Sequence, residues 1–229
     1  LYFWVLDIWP DAMKSGGGIN NKSILSFVDR IVKFMYTNSD KILISSKEFK
    51  QNISAKGNYS HKIEYFPNWS DDILKMNDNY PIPEIPQGFV IMLAGNIGNS
   101  QNMEAVMDAA LELKNYKTLK WVLIGDGSKK EWVDKFIKEK QLEESVFTYG
   151  RFPFEAMPAF YKLADAMLLT LKGDFPHLKL VVPARLQSYM SASRPVLGMI
   201  DGAGAKIISE SKCGYAVGGG DSKALVKII

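Results

Sequence analysis

Short apolar runs alternate with amphipathic segments along this chain, and turns that carry glycine or proline join them. The clearest case spans 170–204, where an apolar strand is followed by a Pro-led turn, a short helical segment and a second strand. The same order of strand, turn and helix occurs at 90–101 and at 121–130. Such regular alternation predicts a doubly wound parallel sheet, whose turns after the strands meet at one edge. Ligand phosphates bind at this edge because helix N-termini present free amides there.

The composition is ordinary for a soluble globular protein, since 47% of the 229 residues are hydrophobic and 23% are charged. The net charge of +3 is spread over many lysines without a dense basic run, which argues against nucleic-acid binding. A single cysteine, Cys213, excludes an intrachain disulfide and a multi-cysteine zinc cluster. His61 and His177 are far apart in the sequence, so we predict no metal site.

The first ten residues, LYFWVLDIWP, are apolar but too short to span a membrane, and they lack the basic start of a signal peptide. They predict a strand over 2–6 that is buried on both faces, with Asp7 at its carboxyl end. The segment 11–21, which contains three consecutive glycines, is predicted to be a loop. Because the chain starts in a strand without Met and stops in a helix-like segment, we expect a fragment that lacks elements at both ends.

A polar, proline-bearing stretch divides the chain into two predicted α/β units, residues 1–75 and 88–229, with a stiff linker over 76–87. The first unit has predicted strands at 2–6, 41–45 and 62–66, and helices at 22–36 and 46–55, the latter capped by Ser46. The predicted strands of the second unit are 89–93, 120–124, 146–149, 166–171, 195–199 and a short one around Tyr215. Its predicted helices are 101–113, 129–140, 156–163, 183–190 and 203–209.

Three turns of the second unit are candidates for ligand binding. The first, AGNIGNS at 94–100, would let the backbone of Gly95, Asn96 and Gly98 approach an anion, although its spacing is not G-x-G-x-x-G. The second contains Gly125, Asp126 and Gly127 after a strand. The third starts a helix, where free amides and a guanidinium could bind a diphosphate; its members are Lys179, Val182, Pro183, Ala184 and Arg185. The alternative to ligand binding is that these are ordinary capped turns and that Arg185 is only a solvent-facing residue of its helix.

Two further polar residues follow strands at the same edge. Arg151 could reach a base or a phosphate, unless Glu155 or Asp165 holds it. Asp7 is the candidate for the opposite wall of the cleft, and capping of its own turn is the alternative reading.

In order and spacing, these motifs resemble those of glycosyltransferase family four, which has the GT-B fold. The similarity is greatest to the bacterial surface-polysaccharide branch that includes N-acetyl-fucosamine-type transferases, and it covers nearly the whole chain. The segments that carry it are LDIWP at 6–10, NSDKILISS at 38–46, KIEYFPN at 62–68, AGNIG at 94–98, IGDG at 124–127, MPAFY at 157–161, VPARLQSY at 182–189, RPV at 194–196 and CG at 213–214.

The resemblance implies a GT-B type fold with two Rossmann-like doubly wound domains, of which the N-terminal one is truncated here. It implies transfer of a sugar from a nucleotide diphosphate sugar, with a UDP-sugar favoured, to a saccharide or lipid-linked saccharide acceptor. The reaction would be retaining, metal-independent and free of cofactors, and it would serve cell-surface polysaccharide biosynthesis such as that of lipopolysaccharide or capsule. The expected location is the cytoplasm, and peripheral association with the inner face of the cell membrane is left open.

The resemblance also assigns roles to residues of this chain. Gly98 and its loop would face the diphosphate, residues 125–127 and Arg151 would lie near the nucleoside, and residues 182–185 would bind the phosphates. Asp7 is the catalytic candidate. Departures from the general family are a missing pair of glutamates, at whose positions Leu180 and Ser188 stand, a serine at the usual glycine position 193, and Ala184 in place of a serine. Ser188 is predicted to contact the nucleotide sugar from the position of the second glutamate. Lys179 and Arg185 are predicted to compensate for absent basic residues after the first strand of the second unit.

Two other functions are compatible with the sequence. A nucleotide-sugar epimerase of related fold would convert its substrate without an acceptor. A degenerate nucleotide-sugar-binding module, suggested by the missing glutamates, would bind without transfer.

Overall fold

The computed structural model describes residues 1–70, 72–76 and 78–229, and the predicted α/β class is confirmed. Its strands form two parallel sheets, one of three strands and one of six. We call the three-stranded sheet with its helices the first unit, and the six-stranded sheet with its helices the second unit. No described helix is long and apolar enough to cross a membrane.

The first unit has the strand order β1-β2-β3. Its strands are β1 (Tyr2–Val5), β2 (Lys41–Ile44) and β3 (Ile63–Tyr65), and its helices are α1 (Ala12–Gly17), α2 (Lys22–Asn38) and α3 (Phe49–Ser54). Helix α2 begins where the Asn21 side chain accepts hydrogen bonds from the N–H groups of Ser23 and Ile24. Its buried side packs Val32 and Tyr36 against Val5 and Ile42 of the sheet.

Three predictions for the first unit are wrong in detail. The expected loop 11–21 contains α1, because Gly18 takes a left-handed φ of 64° and caps the helix instead of preventing it. Strand β1 is not buried on both faces: among the described strands it pairs with β2 alone, and Tyr2 is 72% exposed. Ser46 is buried and does not cap α3 with its side chain; that helix begins only at Phe49.

The second unit has the strand order β6-β5-β4-β7-β8-β9, and every neighbouring pair is parallel. Its strands are β4 (Phe89–Ala94), β5 (Leu119–Ile124), β6 (Val146–Thr148), β7 (Ala166–Thr170), β8 (Val196–Met199) and β9 (Gly214–Val217). Along the chain, β4, β5 and β6 follow one another toward one edge of the sheet, and β7, β8 and β9 follow one another toward the other edge. The order therefore reverses between β4 and β7, and in open parallel sheets ligands bind beyond the carboxyl ends of strands at such a switch point.

Six helices cover both faces of this sheet. They are α4 (Met103–Glu112), α5 (Lys130–Lys140), α6 (Met157–Lys162), α7 (Ala184–Ser191), α8 (Gly202–Ser211) and α9 (Ser222–Ile228). Alternate residues of β4 enter opposite cores, with Ile91 and Leu93 in one and Met92 and Ala94 in the other. This is why the strands read as continuous apolar runs in the sequence.

The chain between the units packs on the second one. Ile73 is buried in the core that lies beneath α6 and α7, and its N–H donates to Ser191 Oγ at 3.1 Å. Ile82 and Ile85, within the predicted linker, pack against the same core. Asn77 of that linker lies outside the described residues, as does Asp71.

Ser193, which follows α7, has a φ of 54° in the left-handed region that favours glycine. We expect Ser193→Gly to raise the free energy of unfolding by about 1 kcal/mol, because relief of backbone strain outweighs the added freedom of the unfolded chain. Denaturant titration measures this change. Ser209→Gly, inside α8, is the control and should lower the same free energy by about 0.5–1 kcal/mol. A Ser193→Gly variant less stable than the parent would contradict the strain argument.

Candidate functional site

Two cavities lie beyond the carboxyl edge of the six-stranded sheet. The glycine-loop cavity, of about 700 Å³, is bounded by the turns after β4, β5 and β6; its lining is Gly95, Asn96, Ile124, Gly125, Asp126, Gly127, Arg151, Phe152 and Met157. The large cavity, of about 900 Å³, lies between the two units. The first unit gives its lining Trp4, Leu6, Asp7, Trp9, Ala12, Met13, Ile19, Asn68 and Trp69, and the second gives Ser100, Gln101, Leu171, His177, Leu178 and residues 181–185.

Backbone hydrogen bonds hold together the turns that bound the glycine-loop cavity. Beyond the strand ends, the N–H of Gly95 donates to Ile124 O at 2.8 Å, and the N–H of Gly125 donates to Gly150 O at 2.6 Å. A Cβ added to Gly125 would lie 1.8 Å from Gly95 O, and the φ of Gly125 is 139°. Glycine is therefore required at 125, because the adjacent turn passes directly against it.

Gln101 fixes the first turn from within. Its side-chain Oε1 accepts hydrogen bonds from the N–H of Gly98 at 3.2 Å and from Asn96 Nδ2 at 3.3 Å. Its own carbonyl accepts a 2.6 Å bond from Thr170 Oγ1 at the end of β7. The amide of Gly98 is thus engaged within the protein, and the loop joins the ends of β4 and β7 across the switch point.

Arg185 connects the two cavities. It lies in the first turn of α7, lines the large cavity, and its guanidinium carbon is 3.4 Å from where a Cβ on Gly95 would be. Its Nη1 atom is buried and has no hydrogen-bond partner among the described residues. The positive charge of this guanidinium, on a residue that lines the large cavity, favours an anion at this junction.

Tyr189, one turn further along α7, holds this helix against β4. Its buried hydroxyl accepts a 3.0 Å hydrogen bond from the N–H of Ala94 and donates at 3.1 Å to the carbonyl of the same residue. Burial raises the pKa of Tyr189, and interactions with Arg185 oppose the shift. The phenol therefore stays neutral and ties the helix that carries Arg185 to the residue before the glycine turn.

Asp7 and His177 belong to opposite walls of the large cavity. Partial removal from water raises the pKa of the Asp7 carboxyl, and the charge of His177 opposes this shift. His177 is only 6% exposed. Burial lowers the pKa of His177. The charge of Asp11 opposes this shift, the charge of Lys14 adds to it, and the charge of Asp7 also opposes it. Burial alone thus shifts the equilibrium of both groups toward their uncharged forms.

The structure brings most of the sequence-predicted site residues to these cavities. Asp7 and residues 182–185 line the large one, and Gly95, Asn96, residues 125–127 and Arg151 line the other. Gly98, Lys179 and Ser188 lie outside both linings. The Lys179 amine is 3.6 Å from Asp201, and the Ser188 hydroxyl is 3.5 Å from that of Ser70.

Sequence reasoning gave no site role to Gln101, Tyr189 or His177. Only weak signals for them are present in the sequence. Gln101 is a polar residue just after the glycine turn at 94–100, Tyr189 ends the VPARLQSY motif, and His177 lies shortly before a predicted helix. Among the described residues, no three His, Cys, Asp or Glu side chains form a group that could hold a metal ion.

Comparisons with known proteins agree with this geometry. A family model described as glycosyl transferases group 1 matches residues 88–229. The probable glycosyltransferase WbjE of Pseudomonas aeruginosa is 24% identical over 242 residues, which cover 99% of this chain and 58% of the relative. The putative colanic acid biosynthesis glycosyl transferase WcaI of Escherichia coli K12 is 26% identical over 167 residues, which cover 67% of this chain and 39% of the relative. The chain therefore spans only part of the length of these relatives.

Solved structures share the fold at lower identity. Anabaena Alr3699/HepE in complex with UDP-glucose matches all of this chain with a TM-score of 0.76 and 15% identity, over 61% of its own length. TarM matches 99% of this chain with a TM-score of 0.70 and 14% identity, over 42% of its own length.

The doubly wound sheet with cavities at its switch point defines a Rossmann-like architecture, and the likeness to solved structures confirms the predicted GT-B type fold. Because the family model covers more than half of the sequence, this chain belongs to the glycosyl transferases group 1 family. The resemblance to glycosyltransferase family four is confirmed.

Proposed function

We propose that the protein transfers a sugar from a nucleotide diphosphate sugar, UDP-linked in the favoured case, to a saccharide or lipid-linked saccharide acceptor. The reaction proposed is retaining and metal-independent, and it belongs to cell-surface polysaccharide biosynthesis. The single observation that carries the proposal is Arg185, a cation in the first turn of α7 that lines the large cavity and lies beside the Gly95 turn of the other cavity. Family membership and the UDP named for Alr3699/HepE support it.

In this proposal the donor spans both cavities. Its nucleoside occupies the glycine-loop cavity beside Arg151, and its diphosphate reaches the junction beside Arg185 and the first amides of α7. A fixed cation and a helix start stabilise the negative charge that grows on the leaving diphosphate, which lowers the barrier to bond cleavage. The departing diphosphate assists deprotonation of the acceptor hydroxyl, and Asp7, on the opposite wall, orients that hydroxyl.

A binding module without transfer is the second candidate. It is favoured by Ser188, which stands where the general family has a ribose-binding glutamate and whose hydroxyl lies near Ser70. A nucleotide bound to such a module would lack the charged contact to its ribose.

Calorimetric titration of the full-length protein with UDP, GDP and ADP in EDTA tests the proposal. We expect UDP to bind selectively without metal, because Arg185 and backbone amides supply the positive charge that a metal would otherwise provide. Transfer from a UDP-sugar is then measured with and without acceptor. Failure of all three diphosphates to bind would overturn the proposal; binding without transfer or hydrolysis would favour the module, and acceptor-free isomerisation would favour an epimerase.

A further inference from the structure

Three aromatic side chains of the first unit pack together, and two of them, Trp4 and Trp69, line the large cavity. Trp4 and Trp69 stack with ring centroids 5.1 Å apart and an angle of 6° between their planes. Phe66 meets both rings edge-on, at 5.6 Å from Trp4 and 5.9 Å from Trp69. We call these residues the aromatic triad.

Hydrogen bonding and packing orient the triad before any ligand arrives. Trp4 Nε1 donates to the carbonyl of Phe66 at 3.2 Å, which joins β1 to the segment after β3. Trp69 rests one indole face on Trp4, yet the side chain is 65% exposed. Its other face is therefore open where it lines the large cavity. A flat apolar surface of this size that is already held in place loses little conformational freedom when it binds a ligand.

The polar groups beside the triad point to a carbohydrate. Asn68 and Asp7 line the same cavity, and together they offer an amide and a carboxylate to ligand hydroxyls. A pyranose ring has one face of C–H groups, which suits the electron-rich face of an indole, and a rim of hydroxyls, which suits amide and carboxylate groups. A nucleobase also stacks on aromatic rings, but in our proposal the base lies beyond Arg185 in the glycine-loop cavity.

We propose that the open face of Trp69 binds a pyranose ring of the acceptor, with Asn68 and Asp7 holding its hydroxyls. This inference rests on the proposed function for the identity of the ring as acceptor, but the sugar site itself is testable without it. The acceptor's reactive end is then a sugar, and any lipid carrier lies further from the reaction centre.

Saturation-transfer difference NMR on the full-length protein tests the site directly. The probes are methyl β-glucoside, methyl β-galactoside and methyl N-acetyl-β-glucosaminide, each measured with and without UDP. We expect at least one of them to show strong transfer to the C–H groups of a single ring face, and Trp69→Ala to weaken its binding about tenfold or more. Trp69→Phe should retain part of the signal, and Tyr116→Ala, which removes a 64% exposed ring elsewhere, should retain all of it.

The outcomes separate this inference from the proposed function. Sugar binding that depends on Trp69 supports the site even if no nucleoside diphosphate binds, and an unchanged melting temperature of Trp69→Ala shows that the variant is folded. The inference is overturned if none of the three glycosides gives a signal, or if the signal persists in Trp69→Ala. It is equally overturned if UDP, or a polyprenyl phosphate without sugar, competes for the Trp69 face.

Discussion

Replacing Arg185 with alanine is expected to lower the affinity of the full-length protein for UDP about tenfold to a hundredfold, because charge-assisted hydrogen bonds to phosphate are worth about 1.5–3 kcal/mol. Calorimetric titration in EDTA measures the loss. Arg185→Lys should fall between parent and alanine variant, since a lysine keeps the charge but loses the planar fork of donors.

Arg194→Ala is the matched control for this experiment. Its guanidinium donates to Lys162 O at 2.7 Å, away from both cavities, so UDP affinity should stay at the parental value. The melting temperature of ligand-free Arg185→Ala, measured in parallel, shows whether the variant is folded, since the substitution also removes the interaction of Arg185 with Tyr189. Equal UDP affinity in Arg185→Ala and the parent would remove the central support of the proposed function.

Gly125→Ala is expected to lower the free energy of unfolding by about 3 kcal/mol or more. The added methyl group would lie 1.8 Å from Gly95 O, and alanine rarely adopts the φ of 139° found there. Relief would require the turns after β4 and β5 to separate, which breaks the backbone hydrogen bonds that continue the sheet beyond its strands. Denaturant titration provides the measurement.

Gly150→Ala separates the two causes of that loss. Gly150 also has a positive φ, of 70°, but no described atom lies within 4 Å of the position of an added Cβ. This variant should therefore cost only about 1 kcal/mol, the price of the left-handed backbone alone. If the two variants lost the same stability, the close approach of Gly125 to Gly95 would not be a determinant of the fold.

Local patterns predicted the strands and helices of the second unit because each element carries its own apolar run and its own turn residues. They also placed Arg185 and the glycine turns at one edge, since the glycine turns follow directly after strands and Arg185 lies in the first turn of the helix after β7. Helix α1 was missed because Gly18 ends that helix as its C-cap, a role it can take only when the residues before it are already helical. The glycine-rich composition alone does not show whether a glycine ends a helix or prevents the helix from forming.

Other features depend on contacts between distant parts of the chain. The bonds between Tyr189 and Ala94 join residues 95 positions apart, and the bond from Trp4 to Phe66 joins residues 62 positions apart. No local periodicity encodes such pairs, so neither the bonds between Tyr189 and Ala94 nor the packing of the aromatic triad followed from the sequence. The approach of His177 to Asp7 likewise depends on how the first unit faces the second.

The double hydrogen bond between Tyr189 and Ala94 has a mechanical meaning. It fastens α7 to the last residue of β4, so that the position of Arg185 is tied to that of the glycine turn. The opposite wall of the large cavity is formed by the first unit, through residues of β1 and α1. Under the proposed function, the donor phosphates would therefore be held by a helix anchored to the central sheet, and the acceptor by a separately folded layer of the chain.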